Sequence, residues 1–232
     1  MLAGMDSETV GEDFLDFKCP HCGTLISFPI SAANRVRECM NCLDLFLVPA
    51  KDGEAGRKLP TEVEGPRIRL RFLEPRDWKD LLEFQFDDED EATGWIPKSG
   101  TMRSSETREP FHLAVEIRET HKVVGTVGFT FLDHMLDQVE LTATGKNPPA
   151  LPDLVMETFD VALDYCFQEM NLHRVVTRCS PDEAESCKLF KELGMRQEGE
   201  FRKHYFSEGE WRSTVYFAIL EEEYFRENTG NR

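Results

Sequence analysis

Hydrophobic and polar positions along the chain change period several times. Ile68, Leu70 and Phe72 alternate as a strand, and Pro75, Asp77 and Trp78 then open a helix carrying Leu81, Leu82 and Phe84. Residues 92–110 hold Gly, Ser, Thr and Pro without periodicity and predict irregular chain. Strand patterns return at 111–117, 123–131 and 139–144, with a turn at 119–122. From Pro152 to Met170 the residues Val155, Phe159, Ala162, Leu163, Cys166 and Met170 recur on one helical face. A strand at 175–179 precedes a helix from Ser180-Pro181 to Gly194, where glycine suits a left-handed cap. Two long strands, 195–206 and 212–220, flank the turn Ser207-Glu208-Gly209-Glu210. The order predicts a mixed α/β (α+β) domain around a mostly antiparallel sheet flanked by helices.

The first third of the chain differs. Residues 1–16 are acidic and aperiodic and predict a flexible tail, as do 227–232 at the other end. Residues 17–50 are compactly patterned, 51–66 have the Gly-, Glu-, Lys- and Pro-rich composition of a linker, and 67–226 form the large domain. Within 17–50, Cys19-x2-Cys22 and Cys39-x2-Cys42 are separated by sixteen residues. Each pair puts two thiolates on one tight knuckle, and four such donors suit tetrahedral zinc with no position left for a catalytic water. A 34-residue segment buries too little to fold unaided, so structural zinc is the expected source of its stability. Disulfides or free thiols are the alternative.

Composition narrows the partners. The 232 residues carry 27 Lys and Arg against 44 Asp and Glu, a net charge of -17, which repels phosphate backbones and makes nucleic acid an unfavourable partner. No apolar run reaches membrane-spanning length, and the acidic start lacks a signal peptide's basic and apolar regions. Seven cysteines, with Cys166, Cys179 and Cys187 scattered outside the knuckles, fit a reducing compartment, and the expected localisation is cytoplasmic.

Two segments resemble known families. Phe17-Lys18-Cys19-Pro20-His21-Cys22-Gly23 is similar to the opening of small zinc ribbons, although Leu43 follows Cys42 where those ribbons carry glycine. The segment's near-neutral charge favours contact with a protein partner, or a purely structural role, over nucleic acid. Leu163-Asp164-Tyr165, Asn171-Leu172-His173-Arg174-Val175, Pro181, Ser186, Leu193-Gly194 and Glu198-Gly199 stand in the register of the GNAT superfamily of N-acetyltransferases. They look like its ribosomal-protein alanine and serine acetyltransferase branch.

That resemblance implies acetyl-CoA as cosubstrate and a primary amine as acceptor, on a small molecule or a protein N-terminus. It implies that the strand Leu141, Thr142, Ala143 lies along the pantetheine arm, that Ser186 faces the cofactor, and that Glu140 assists deprotonation of the amine. A structural hydrogen bond is the other reading of Glu140. The acid run at 87–91 falls where such enzymes build the acceptor wall, or is a solvated charge run at a helix end. His173 belongs to the fold-associated phrase, and Trp211 is expected to pack beside the last hairpin.

The pyrophosphate loop departs from the family's pattern. Its six positions read Ala150, Leu151, Pro152, Asp153, Leu154 and Val155, with neither glycine nor arginine. Pro148, Pro149 and Pro152 remove amide donors, and Asp153 and Glu183 add negative charge near the expected phosphates. A catalytically degenerate scaffold, with the ribbon contacting a protein, is therefore the competing expectation.

Overall fold

The computed structural model describes residues 13–99, 110–132, 135–146, 151 and 153–229. The expected N-terminal tail lies outside them as far as residue 12, but its last residues, Phe14 to Asp16, are paired in a strand with Leu15 buried. Pro148, Pro149, Ala150 and Pro152 of the departed loop also lie outside the described residues.

The amino-terminal module is two small sheets. β1 (Phe14–Lys18) and β2 (Leu25–Pro29) pair antiparallel with the first knuckle at their turn. β3 (Val36–Glu38) and β4 (Leu45–Leu47) pair around the second knuckle, and β5 (Arg57–Lys58) adds to β4. Phe17, Phe28 and Phe46 pack their rings together inside the module, with centroids 5.7–6.3 Å apart. The opposite side of the module faces the large domain: Val36, Leu45 and Leu47 join the domain's own core.

The large domain runs through β6 (Glu62–Glu64), β7 (Ile68–Phe72), α1 (Trp78–Leu81), α2 (Glu89–Ser99), β8 (Phe111–Ile117), β9 (Val123–Phe131) and β10 (Gln138–Gly145). It continues with α3 (Leu154–Asp164), β11 (Arg174–Cys179), α4 (Ala184–Glu192), β12 (Arg196–Ser207), β13 (Glu210–Leu220) and α5 (Glu221–Thr229). One eight-stranded sheet has the order β12-β13-β11-β10-β9-β8-β7-β6. Every neighbouring pair in it is antiparallel except β10 with β11. The sheet is therefore mixed and mostly antiparallel, as its period changes predict.

The alternation of side chains divides the sheet's two faces. Phe111, Val127, Phe129, Leu141, Val175 and Phe217 point to the α3 and α4 side, with Phe159, Leu163 and Phe190 from those helices. Fully burying each such side chain contributes about 1.5–3 kcal/mol relative to exposure. The other face is smaller, with Ala114 and Val123 beneath Leu81, Ala92 and Ile96 of α1 and α2. Glu157, almost fully buried on α3, accepts from the backbone N–H groups of Arg67 (2.6 Å) and Ile68 (3.1 Å) and from Arg67 Nε (2.5 Å). That carboxylate pins α3 to the start of β7.

Three differences from the sequence pattern have physical causes. The segment composed like a linker is paired at both ends, β5 to the amino-terminal module and β6 to the main sheet, with Leu59 buried between them. Its few apolar residues escape a composition average. Residues 89–99 form α2 instead of continuing irregularly. Asp88 Oδ1 caps the helix by accepting from the N–H groups of Asp90 (2.8 Å) and Glu91 (3.0 Å), and Trp95 packs on Phe86. The long helix expected from Pro152 to Met170 ends at Asp164 and continues as a single π-helical turn, Tyr165–Glu169. The hairpin turn is as expected, with Glu208 and Gly209 both at positive φ, the pattern of a tight two-residue loop.

Candidate active site and cysteine cluster

β10 and β11 are paired only at Gln138–Arg174, Val139–Val175 and Glu140–Val176. Beyond Glu140 the strands part. β10 goes on paired to β9 alone as far as Gly145, and β11 to β13 as far as Cys179. A side-chain hydrogen bond crosses the opening, from Thr177 Oγ1 to the Leu141 carbonyl, at 3.0 Å. A wedge between two parallel strands leaves backbone groups unpaired, ready for an extended ligand to replace the missing ladder.

The opening leads to a cleft of about 350 Å³. Leu141, Thr142 and Ala143 form one wall, Thr177, Arg178 and Cys179 the facing wall, and Val155, Phe159, Ser186 and Phe190 close it from α3 and α4. The four residues expected at a cofactor groove, Leu141, Thr142, Ala143 and Ser186, are thus brought together on one cleft. Val155, expected on the buried face of its helix, is instead 40% exposed because it stands at this opening.

Glu183 also lines the cleft, but its carboxylate is turned back to accept the Ser180 N–H at 2.9 Å. Of the departed loop, Asp153 sits at the N-cap of α3 without a side-chain capping bond. A second hollow of about 120 Å³ lies beside that helix start, lined by Gly125, Thr144, Lys146, Leu154 and Thr158 among others.

Glu140 stands where pairing ends, on the sheet face opposite Leu141. Its Oε1 lies 2.6 Å from Arg178 Nε in an ion pair whose alignment falls short of a hydrogen bond. The sequence pattern missed Arg178, since an arginine on an exposed strand position carries no signal until the facing carboxylate is known.

It also missed His112. The His112 ring stacks on Trp95 with centroids 4.8 Å apart, and its Nδ1 is buried without a hydrogen-bond partner among the described residues. Burial holds this imidazole neutral, down to about 4. Gly128 lies between it and the Leu141–Ala143 wall of the cleft: a Cβ there would stand 2.7 Å from Thr142 Oγ1 and 2.9 Å from His112 Cε1. Glycine keeps a gap open between the histidine and Thr142. The acid run contributes the cap and first turn of α2, whose Trp95 stacks on His112.

The two cysteine knuckles converge. The Sγ atoms of Cys19, Cys22, Cys39 and Cys42 all lie within 4.8 Å of one another, with Cys19–Cys42 at 3.8 Å and Cys22–Cys39 at 3.7 Å. Four sulfurs each about 2.3 Å from a tetrahedral zinc would be separated by about 3.8 Å, so the donor set fits that ion. The knuckles share one backbone pattern, Gly23 N–H donating to Cys19 O and Leu43 N–H to Cys39 O. Leu43, the departure from the ribbon pattern, adopts φ +63°, close to the +76° of Gly23.

His173 and Trp211 do not line the cleft. His173 joins the fold through its backbone, donating to Asp137 O and accepting from Glu221 N–H. Trp211 packs edge-on to Phe206 across the last hairpin, as expected, and is largely exposed.

With this fold and cleft in view, residues 67–196 match the family model of the acetyltransferase (GNAT) domain. The chain belongs to that family of N-acetyltransferases. It is 28% identical over 171 residues to an uncharacterized N-acetyltransferase, YnaD, of Bacillus subtilis, a match covering 68% of this chain and 96% of the relative. An uncharacterized N-acetyltransferase of Bacillus licheniformis, p20, is also 28% identical, over 172 residues covering 68% of this chain and 95% of the relative. Among solved structures, a GNAT-family acetyltransferase from Bacillus anthracis superposes with a TM-score of 0.60 at 24% identity, over 69% of this chain and 99% of its own. The spermidine/spermine N-acetyltransferase SpeG of Vibrio cholerae gives 0.58 at 18% identity, over 71% and 99%. Both likenesses support the fold.

Proposed function

We propose that the protein transfers an acetyl group from acetyl-CoA to a primary amine, on a small molecule or a protein N-terminus, within the ribosomal-protein acetyltransferase-like branch. The observation that carries this reading is the parting of β10 and β11 after Glu140, which opens a cleft lined by Leu141, Thr142 and Ala143. Acetyl-CoA would enter from the α3 and α4 side, with its pantetheine arm along that strand and Ser186 opposite. The amine would approach from the α1 and α2 side, past His112, Thr142 and Glu140. The neutral amine would attack the thioester carbonyl, the amine's proton would pass to Glu140 directly or through water, and coenzyme A would leave as the thiolate, which then takes that proton back from Glu140 or from solvent. Attack requires Glu140 to give up part of its contact with Arg178, and a cationic acceptor can displace that arginine.

In the same reading the four cysteines hold a structural zinc, whose closed thiolate shell braces the ribbon and offers no site for chemistry. The ribbon would then serve a protein partner through its exposed Leu25, Ile30 and Met40, and the protein would work in the reducing cytoplasm. Among the described residues no helix is long and apolar enough to cross a membrane.

One observation favours the scaffold reading: Asp153 occupies the N-cap of α3, where a pyrophosphate would meet a carboxylate. Calorimetry with acetyl-CoA, followed by thiol release in the presence of an amine panel, decides between them. The transferase reading expects a saturable isotherm and amine-dependent thiol release that is lost in Glu140→Gln. Absence of binding at millimolar acetyl-CoA would leave the scaffold.

A further inference from the structure

Two cysteines outside the ribbon also meet. Cys179 ends β11, on the strand that has already left β10, and Cys187 lies in the first turns of α4 beside Ser186. Their Sγ atoms are 3.3 Å apart, closer than the closest sulfur pairs in the four-cysteine cluster. No other His, Cys, Asp or Glu ligand atoms complete a metal shell around them, since the ribbon's four cysteines are the only such group among the described residues. The pair therefore calls for a covalent explanation rather than a coordinate one.

Access to the two sulfurs is unequal. Cys179 is 9% exposed and lines the cleft, and burial together with its neighbour Cys187 pushes its thiol up to about 12. Cys187 is partly exposed and opens onto a separate hollow between α4 and the β12–β13 hairpin, beside Lys188, Lys191, Gln197 and Glu200. A small oxidant thus reaches Cys187 first, with Cys179 behind it as a resolving thiol.

We propose that Cys179 and Cys187 are a modification site that a hydroperoxide converts to a disulfide across the wall of the acyl-CoA cleft. The Cys187 sulfur attacks the peroxide, the O–O bond breaks, and sulfenic acid forms as the first water (or alcohol) leaves. The Cys179 sulfur then attacks the Cys187 sulfur, the S–O bond breaks, and the second water leaves. Two thiols give up two electrons to one peroxide, and the protons end in the departing products. Reaching bonding distance draws the sulfurs together by about 1.3 Å. That movement pulls α4, with Ser186 and Glu183, toward the end of β11 and narrows the cleft. This consequence rests on the acetyl-CoA reading; the disulfide itself does not.

The sequence makes the bond easy to read. No Lys or Arg separates the two cysteines, so trypsin releases both in the peptide 179–188, CSPDEAESCK. Full-length protein treated with limiting hydrogen peroxide should yield this peptide two hydrogens lighter and resistant to alkylation until reduced. Cleavage after Glu183 or Glu185 should leave its halves linked. Cys187→Ser should abolish the product, and Cys179→Ser should leave a sulfenic acid at Cys187 that a dimedone probe traps. Full alkylation of both thiols after peroxide is consumed, or linkage of either to Cys166 or the ribbon, overturns the proposal.

Acetyl-CoA titration then tests the consequence. Affinity should fall about tenfold on oxidation, return with dithiothreitol, and be insensitive to peroxide in Cys187→Ser. Equal affinity of the reduced and oxidised protein would refute the narrowing. Failure of the reduced protein to bind would refute the transferase reading, while the peptide still reports the disulfide.

Discussion

Thr177 reaches across from β11 to donate to the Leu141 carbonyl at 3.0 Å, at the first position where the two strands have stopped pairing. A side chain has replaced a rung of backbone ladder. The wedge is thereby held open at its apex without leaving a buried carbonyl unpaired. Thr177→Val keeps the shape and removes the donor. It should cost about 1–2 kcal/mol in urea unfolding, since it strands the Leu141 oxygen. Acetyl-CoA affinity should drop with it, because the apex of the cleft can then close or slip.

Glu140 and Arg178 offer a separate test of chemistry. Their side chains lie outside the apolar core, so Glu140→Gln should leave thermal stability nearly unchanged. It should lower kcat/KM for amine acetylation by about 10²–10⁴ while the acetyl-CoA Kd stays put. Arg178→Met, which releases the carboxylate, should instead lower KM for cationic acceptors. An unchanged kcat/KM in Glu140→Gln would assign the carboxylate to structure alone.

Metal loss is expected to reach beyond the ribbon. Cys39 is fully buried, and the adjoining strands carry Val36, Leu45 and Leu47 into the large domain's core. Cys39→Ser, or a strong chelator, should release one zinc per chain, lower Tm, and expose the segment around Gly53 and Gly56 to protease. Metal analysis of the purified protein, read beside calorimetric melting, checks this.

Acid unfolding should come in two limbs. His112 is held down from 6.5 to about 4 by burial, so stability from keeping it neutral is present above 6.5 and lost as pH falls through about 4. Glu116 is pushed up by burial, but hydrogen bonds from Arg69, Arg71 and His121 outweigh that and hold it at about 2. Its contribution is complete above 4.5 and disappears toward about 2. His112→Asn should flatten the upper limb of a stability-against-pH curve. Glu116→Gln should remove the lower limb and cost about 1–3 kcal/mol at neutral pH, because Arg71 keeps its two bonds to the buried Asp77 but loses the charge of its second partner.

The sheet and the cleft's inner strand were legible because periodicity and the Leu172-His173-Arg174-Val175 phrase are local signals. Leu141, Thr142, Ala143 and Ser186 follow from that register, and all four line the cleft. What stayed hidden depends on distant partners. α2 exists because Asp88 caps it and Trp95 finds Phe86 and His112, and none of this is visible in its Gly- and Thr-containing composition. The π-helical turn at Tyr165 goes with a hydroxyl that donates to Pro60 O at 2.8 Å, a contact 105 residues away in sequence. His112 became notable only when Gly128 was seen to leave space beside it.

The ribbon's docking has a consequence for biogenesis. Arg35 donates to the Asn171 carbonyl at 2.6 Å and pairs with Glu221 at 3.3 Å, while Arg37 meets Asp137 at 3.1 Å. These partners are synthesised long after the module that needs them. Until they emerge the module lacks these partners, and if its four cysteines take zinc as proposed, ion supply during translation would influence the yield of the mature fold.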